Sequence, residues 1–351
     1  MTAIRQVAVI GAGMAGSSCA QALTLAGHTV QVFDKSRGPG GRMATRRLEW
    51  RDRDGEARTT GIDHGAVSVT ARSAAFQAFV NQALQAGFLA EWKPLLAAGS
   101  LPVEDGAPLC VPVPDLPALC RHLLDGTAAT WSFAVDSLQR RPLGWQVAAD
   151  GLCHPTLFDA VVLALPPAQA APLLKPHRPE WAGQAAATPM LPCWTLMGIA
   201  DDPGPTDNAP QAALQRDLAR PPTGELAWVL RNDSRPGRDR RPGQAHWVVH
   251  ASAGWSQQHL EQSADWVQRQ LQAALDRWLG RAVDWQHLVV HRWRYALPQA
   301  QTTTDGGCWW DADLGLGVCG DFLGGASVEG AWLSGLAMSA VLPQRADSRG
   351  R

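Results

Sequence analysis

The stretch that decides the fold is VAVIGAGMAG at residues 7–16. Its apolar start predicts a buried parallel strand, and Gly11, Gly13 and Gly16 occupy the glycine positions of a G-x-G-x-x-G turn. Gly11 permits the turn, Gly13 lets backbone amides approach a pyrophosphate, and Gly16 lets helix and strand pack closely. The following helix, expected over residues 14–26, directs the positive end of its dipole at the phosphates. The motif therefore predicts a dinucleotide site.

Two further blocks favour FAD as the dinucleotide. The strand HTVQVFD ends at Asp34, where an acid would grip ribose hydroxyls. The glycine-rich loop that follows ends in Arg42, whose guanidinium matches the geometry of a pyrophosphate. The other block lies near the carboxyl terminus and completes the predicted cofactor site.

That terminal block reads LGVCGDFLGGASVEGAWLSG at residues 316–335. Asp321 is placed to accept hydrogen bonds from ribityl or phosphate-proximal hydroxyls, and the helix beginning near Val328 can stabilise negative charge on a reduced flavin. A buried thiol is expected at each nearby cysteine, so the FAD is expected to be noncovalent. The residues predicted to bind FAD are Gly11, Gly13, Met14, Ala15, Gly16, Asp34, Lys35, Gly41, Arg42, Met43, Asp321 and Val328.

Composition limits the remaining function classes. The chain of 351 residues has room for two domains, and its net charge of −1 gives no broad electrostatic reason to bind nucleic acid or an anionic membrane. The seven cysteines are scattered without a C-x-x-C pair, which favours reduced thiols over disulfides or a zinc site. No apolar run reaches membrane-spanning length. We therefore expect a cytoplasmic protein without a metal site, and the oligomeric state is not predicted.

Arginines cluster in two places. Arg42, Arg46 and Arg47 form a group that we expect to serve an anionic cofactor or substrate. A second group lies in RNDSRPGRDRRPG, and such a Pro/Gly-rich charged run predicts a solvated loop.

The order of elements predicts two domains of an α/β fold. A Rossmann-like FAD-binding domain is expected to be discontinuous, over 1–75, 101–170 and 290–345. A smaller α+β substrate domain with an antiparallel sheet is expected over 76–100 and 171–289, where strand patterns such as CWTLMGIA, LAWVLRND and HWVVHAS alternate with polar loops. The last residues, 346–351, are expected to be a disordered tail.

The combined motifs resemble the renalase family of FAD-dependent oxidoreductases, within the flavin amine oxidase superfamily, and most closely its bacterial branch. The resemblance rests on DKSRGPGGRMATRR, DHGA, WVLRNDSRPGR, WVVHAS, HRWRYALP and the carboxyl-terminal block, and it covers residues 4–342. It implies a Rossmann-like FAD-binding domain of the p-hydroxybenzoate hydroxylase type, with noncovalent FAD. It also implies oxidation of the mis-reduced 2- and 6-dihydro isomers of NAD(P) to NAD(P)+. Oxygen would reoxidise the flavin and yield hydrogen peroxide.

Hydride transfer from a dihydropyridine to flavin N5 requires stacking and orientation more than acid or base catalysis. The chain accordingly shows no Ser-His-Asp set, paired carboxylates or metal cluster. The residues expected on the substrate face are His64, Asn232, His250, Arg292 and Tyr295. Two alternatives remain open: a flavin-dependent amine oxidase or desaturase-like dehydrogenase, which the single tyrosine makes less favourable as an amine oxidase, and a non-catalytic flavin-binding protein.

Overall fold

The computed structural model describes residues 6–103, 107–202, 216–299 and 306–342. The predicted tail at 346–351 lies outside these ranges. The strands are β1 (Gln6–Ile10), β2 (Thr29–Phe33), β3 (Thr45–Arg51), β4 (Ala57–Asp63), β5 (Leu89–Trp92), β6 (Leu109–Pro112), β7 (Ala128–Thr130), β8 (Ser137–Arg141), β9 (Gly144–Ala149), β10 (Leu152–Phe158), β11 (Ala160–Leu163), β12 (Met190–Asp201), β13 (Leu218–Ala219), β14 (Leu226–Arg231), β15 (Gln244–Ala251), β16 (Trp285–Pro298), β17 (Trp309–Asp311) and β18 (Leu316–Val318).

The helices alternate with these strands, and a short 3-10 turn, Asn232–Ser234, follows β14. The helices are α1 (Met14–Leu25), α2 (Ala74–Gln85), α3 (Ala118–Leu123), α4 (Pro167–Leu174), α5 (Pro179–Ala187), α6 (Ala253–Gln258), α7 (Ala264–Leu279), α8 (Asp321–Gly324) and α9 (Val328–Val341).

The Rossmann-like half is a six-stranded sheet in the order β17-β18-β11-β1-β2-β7. Its strands are parallel except for β17, which pairs antiparallel with β18. Strand β1 is buried from Val7 to Ile10, as a central parallel strand covered on both faces should be. The predicted α/β fold with this half at its centre is confirmed.

Helices α1 and α9 pack closely against one face of this sheet. A Cβ at Gly335 would lie 2.3 Å from the carbonyl oxygen of Ala15, so only glycine allows this approach. The Ser18 hydroxyl donates to the backbone carbonyl of Trp332 at 3.1 Å across the same contact. The carboxyl-terminal helix is thereby fixed beside the amino-terminal glycine turn.

The second half is a five-stranded antiparallel sheet in the order β13-β14-β15-β12-β16. One face packs on α7, with Leu196, Val249 and Leu271 fully buried between them. The other face packs against the β3–β4 hairpin through Leu48, Ile62 and other apolar side chains. The predicted antiparallel sheet is therefore present, with a helix on one side and the hairpin on the other.

Two parts of the domain division differ from the expected boundaries. Strand β16 stays paired with β12 from Trp285 to Pro298, so this sheet continues past the expected boundary between 289 and 290. Helix α2, expected in the substrate domain, packs in the same apolar core as α1 and α9 through Phe76 and Val80. Apolar spacing identified both elements but carried no information on which core each would join.

Candidate active site

The three glycines of the first turn have different surroundings. A Cβ at Gly11 would lie 2.4 Å from the Ala164 carbonyl oxygen, and one at Gly16 would lie 1.9 Å from the Gly11 carbonyl oxygen. A Cβ at Gly13 would meet nothing closer than the Gly41 Cα at 3.9 Å, and Gly13 has an ordinary φ of −76°. The protein's own packing explains Gly11 and Gly16. It does not explain Gly13, which faces open space.

That open space lies at the amino terminus of α1. Gly13 is the N-cap and offers no side chain to the amides of the first turn, which contains Met14 and Ala15. Such amides, together with the helix dipole, form an anion-binding position. This arrangement fits the pyrophosphate of a dinucleotide.

Asp34 lies where β2 ends, beside this turn. Its carboxylate accepts hydrogen bonds from the amides of Ala12 and Ser36, both at 2.7 Å. Because each carboxylate oxygen can accept more than one hydrogen bond, Asp34 retains capacity for ribose hydroxyls. The two backbone contacts hold it in place for that role.

A cavity of about 1010 Å³ opens next to Asp34. It is lined by the loop at residues 36–41 and by Ala129 and Trp131 at the carboxyl end of β7. Ligands of open parallel sheets bind beyond the carboxyl ends of the strands. The cavity therefore fits the adenosine end of the dinucleotide.

Arg42 and Asp321 form a bidentate ion pair on the other side of the turn. The Nη1 and Nη2 atoms of Arg42 donate to the two Asp321 oxygens at 2.7 and 2.6 Å, and Nη1 also donates to the Ala296 carbonyl oxygen at 3.0 Å. Arg42 thus neutralises a buried carboxylate where phosphates would approach. It also joins the glycine loop, the carboxyl-terminal block and the end of β16.

The remaining predicted cofactor residues lie around the same turn. Gly41 packs against Gly13, and the Met43 amide donates to the Gly40 carbonyl oxygen at 2.8 Å. Val328 begins α9, which has Ser327 as its N-cap. Lys35 is exposed and its Nζ lies 3.4 Å from the Gln169 side-chain oxygen. FAD binding by these residues stays a prediction.

The hairpin-facing side of the five-stranded sheet presents histidines in two rows. One row contains His246, Ile199 and His287, and the other contains His250, Thr195 and His291. An apolar row of Val248, Met197 and Val289 separates them. The strand alternation predicted for HWVVHAS is thus present, with His246 and His250 on one face and Trp247 and Val249 in the α7-facing core.

His64, which follows β4, joins the second row to form an aromatic cluster. Its ring stacks on Trp293 with centroids 5.1 Å apart and meets the His291 ring edge-on at 4.8 Å. The Trp293 indole Nε1 donates to the His64 carbonyl oxygen at 3.1 Å. The His250 imidazole lies against the His64 backbone. We call His64, His250, His291 and Trp293 the histidine cluster.

The imidazoles of this cluster are held neutral. Burial, reinforced by the nearby His291, lowers the pKa of His64 to about 3. Burial and the Arg235 cation lower the pKa of His250 to about 4, and burial together with Arg46 lowers the pKa of His291. His64 Nδ1 and His250 Nε2 are buried without a hydrogen-bond partner. Since buried polar atoms are normally paired, these two nitrogens are available to a ligand.

Asn232 is fully buried, and its amide holds the 3-10 turn against β4. Its Oδ1 accepts from the Asp63 amide at 3.1 Å, and its Nδ2 donates to the Gly61 carbonyl oxygen at 3.2 Å. These contacts give Asn232 a structural role next to the cluster. Its predicted contact with substrate stays a prediction.

Asp63 binds two arginines of the charged run, which the sequence placed in a solvated loop. Arg238 donates to the Asp63 carboxylate from Nε at 2.9 Å, and Arg235 Nη1 lies 3.2 Å away. The Arg235 and Arg238 side chains are only 1% and 2% exposed. The solvated-loop interpretation is therefore wrong for these two residues, because a buried carboxylate draws them inward.

Arg292 is not brought together with His64, and the contact of Tyr295 with substrate stays a prediction. Arg292 lies on the α7-facing side of β16, where Nη1 donates to the Leu260 carbonyl oxygen at 2.8 Å and the guanidinium lies over Trp194. Tyr295 lies in the irregular part of β16 between the pairs formed by Trp293 and Leu297. The alternation of β16 places His291 and Trp293 on the cluster side, and this alternation was the signal that could have identified them.

The first arginine cluster separates into different surroundings. Arg46 lies on β3 opposite Ile62, on the face that Leu48 and Trp50 turn toward the five-stranded sheet. Arg47 points to the opposite face, where it contacts Glu49 and the Thr59 hydroxyl, both at 3.1 Å. Only Arg46 therefore accompanies the histidine cluster.

Among the described residues, no three His, Cys, Asp or Glu side chains are arranged so that they could hold a metal ion, and no helix is long and apolar enough to cross a membrane. All seven cysteines are free thiols, as predicted.

Comparison with known proteins supports the fold. Residues 9–83 match the NAD(P)-binding Rossmann-like domain family. The chain is similar to a putative protoporphyrinogen oxidase from Exiguobacterium (12% identity, 96% of this chain and 98% of that chain, TM-score 0.67). It is also similar to an oxidoreductase from Methanosarcina mazei (14% identity, 96% of this chain and 100% of that chain, TM-score 0.68). A third similar structure is cyclohexylamine oxidase from Brevibacterium oxydans (12% identity, 97% of this chain and 98% of that chain, TM-score 0.64).

One curated relative matches locally. The 15-cis-phytoene desaturase of Synechococcus elongatus is 44% identical over 57 residues. That segment covers 16% of this chain and 11% of the desaturase, so the chain spans about a tenth of this relative's length. The chain thus has the Rossmann-like fold found in these oxidoreductases.

Proposed function

We propose that this protein is an FAD-dependent oxidase that converts the 2- and 6-dihydro isomers of NAD(P) to NAD(P)+, as the renalase resemblance implies. The observation that carries the proposal is the histidine cluster. It offers neutral imidazoles with two unpartnered nitrogens, beside an indole and next to the dinucleotide site. This chemistry suits a flat, neutral ring that bears a carboxamide.

The connection between cluster and cofactor site runs along β16. Trp293 belongs to the cluster, and the Ala296 carbonyl oxygen accepts from Arg42, the residue that neutralises Asp321. Gly13 leaves the space that a pyrophosphate requires, and Asp34 can accept ribose hydroxyls. FAD, bound noncovalently there, would accept the hydride and pass the electrons to O2, yielding hydrogen peroxide.

The chain's own residues would bind and orient the substrate. Trp293 and His64 stack on one another and so present a rigid aromatic surface that excludes water. His64 Nδ1 and His250 Nε2 can each donate to or accept from a carboxamide, since a neutral imidazole has one donor and one acceptor nitrogen. No step requires an acid or base from the protein, because the dihydropyridine is already electron-rich.

An amine oxidase is the second candidate, because the fold is shared with cyclohexylamine oxidase. A protonated amine would be bound by a carboxylate or by the faces of several aromatic rings. Among the described residues of the cluster region, the carboxylate that acts on His64 is Asp63, which Arg235 and Arg238 already neutralise. The charge around the cluster therefore favours a neutral or anionic substrate over a cationic one.

Aerobic turnover tests the proposal. The FAD-loaded protein is mixed with 2-, 4- or 6-dihydro-NAD or with a panel of amines, and NAD+ or aldehyde and hydrogen peroxide are measured. We expect NAD+ and hydrogen peroxide in equal amounts from the 2- or 6-isomer, and little from the 4-isomer or the amines. Aldehyde from amines, without turnover of any dihydronicotinamide, would replace this function with the second candidate.

A further inference from the structure

Arg46 lies at the open end of the space between the β3–β4 hairpin and the five-stranded sheet. Along β3, Trp50, Leu48 and Arg46 face the sheet in succession, and Trp50 stacks on His287 at 6.4 Å. Trp50 and Leu48 are buried, whereas Arg46 is exposed. Arg46 therefore stands where buried surface gives way to solvent, beside the histidine cluster.

The Arg46 guanidinium has no partner among the described residues. It forms neither a hydrogen bond nor an ion pair with them. The His64 amide donates to the Ala44 carbonyl oxygen at 3.0 Å, which places the Arg46 end of β3 beside His64. In agreement with this position, burial lowers the pKa of His64, His287 and His291 and the Arg46 charge lowers each of them further. By contrast, its neighbour Arg47 contacts Glu49 and Thr59 on the opposite face.

The unpaired Arg46 guanidinium disfavours protonation of the nearby imidazoles. Its positive charge is therefore free to bind an anionic ligand. A guanidinium is well suited to phosphate, which it can bind through two parallel hydrogen bonds. A dihydronicotinamide ring held by the histidine cluster would carry its ribose and phosphates outward, toward this open end. Arg46 therefore lies where the phosphates of a bound dinucleotide substrate would be expected.

We propose that Arg46 binds a phosphate group of the dinucleotide substrate and so makes the pocket selective for nucleotides over free dihydronicotinamides. This assignment rests on the proposed function for the identity of the ring. The anion site itself does not require that reaction.

The experiment compares Arg46→Ala and Arg46→Lys with the control Arg51→Ala, which removes an exposed arginine of the same strand that donates to the Gly55 carbonyl oxygen at 2.7 Å. KM is measured for 6-dihydro-NAD and for the N-methyl dihydronicotinamide of the same isomer, which has no phosphate. Arg46→Ala should raise KM for the dinucleotide by about 10- to 100-fold, the effect of losing a charged hydrogen bond. KM for the N-methyl compound should not change, Arg46→Lys should restore part of the affinity, and Arg51→Ala should match the wild type.

A binding measurement separates this proposal from the proposed function. Calorimetric titration of the FAD-loaded protein with ADP-ribose needs no turnover. We expect binding to the wild type that weakens as salt is added, persists in Arg51→Ala and is lost in Arg46→Ala. Equal binding to both variants, or none to the wild type, would overturn the Arg46 assignment. If no dihydronicotinamide is oxidised but ADP-ribose binding depends on Arg46, the proposed function fails and the anion site stands.

Discussion

At the scale of single residues, the three glycines of the first turn show how a shared motif divides into separate tasks. Gly11 and Gly16 are required by contacts within the protein, whereas Gly13 borders open space at the amino terminus of α1. Because contacts within the protein do not require a glycine at position 13, a ligand that approaches the backbone there would account for it. The dinucleotide assignment therefore rests on geometry as well as on motif spacing.

A substitution at Gly13 should therefore affect cofactor binding, whereas one at Gly16 should affect folding. Gly13→Val places its side chain in the open space, so we expect a folded protein, destabilised by ~1 kcal/mol at the N-cap, that is purified without flavin. Gly16→Ala places a Cβ 1.9 Å from the Gly11 carbonyl oxygen and should prevent normal folding. Circular dichroism and flavin absorbance per protein distinguish them. A yellow, FAD-loaded Gly13→Val protein would contradict the cofactor assignment.

Residues of the dinucleotide motif could be predicted from sequence because their roles depend on local backbone geometry. Arg235 and Arg238 could not, since their partner Asp63 lies far away in the sequence and nothing in a charged run indicates burial. The expected position of Arg292 beside His64 was wrong because the face of a strand residue cannot be read from sequence alone. The face on which a strand residue lies depends on pairing, and the pairing of β12 with β16 places Arg292 opposite Trp194, on the α7 side.

Among the elements, the two faces of the five-stranded sheet carry different side chains. Tryptophans and aliphatic residues turn toward α7, while histidines on β15 and β16 turn toward the hairpin. Strands and helices with strong periodicity, such as β15 and α7, were predictable from sequence. The meeting of His64 with β16 depends on tertiary packing and was not.

Buried neutral histidines make stability depend on pH. The pKa of His64 is lowered from 6.5 to about 3 by burial. The stability that depends on a neutral His64 is therefore fully present above about pH 6.5 and is lost as the pH falls toward 3. At pH 5 this loss is about 2 kcal/mol, from 1.36 kcal/mol per pH unit. Urea unfolding at pH 7 and pH 5 should show a smaller decrease for His64→Gln than for the wild type. Equal decreases would contradict a buried neutral His64.

At the scale of the whole molecule, Asp63 joins the hairpin to the segment that follows β14. Its carboxylate is 1% exposed and also accepts a hydrogen bond from the Thr45 hydroxyl at 2.5 Å. Burial alone would raise its pKa, but Arg235, Arg238 and Thr45 outweigh burial and lower the pKa below 3.8. The Asp63 carboxylate therefore stays charged in the interior, next to His64 of the histidine cluster.

Removing this charge should be costly. Asp63→Asn leaves two buried guanidinium groups without a counterion, and we expect the free energy of unfolding to fall by about 3–5 kcal/mol. Asp115→Asn removes one partner of an exposed pair with Arg121 and should cost about 1 kcal/mol or less. Urea titration at neutral pH measures both. Similar small losses in the two variants would show that the buried cluster does not stabilise the fold.

Anaerobic stopped-flow absorbance shows whether the histidine cluster presents a dihydronicotinamide to a bound flavin. FAD-loaded protein is mixed with 2-, 4- or 6-dihydro-NAD(P) or with amines, and bleaching of the flavin is followed. We predict fast bleaching by the 2- or 6-isomer and slow bleaching by the 4-isomer and amines. Bleaching by amines alone, or by none of these compounds, would contradict the account.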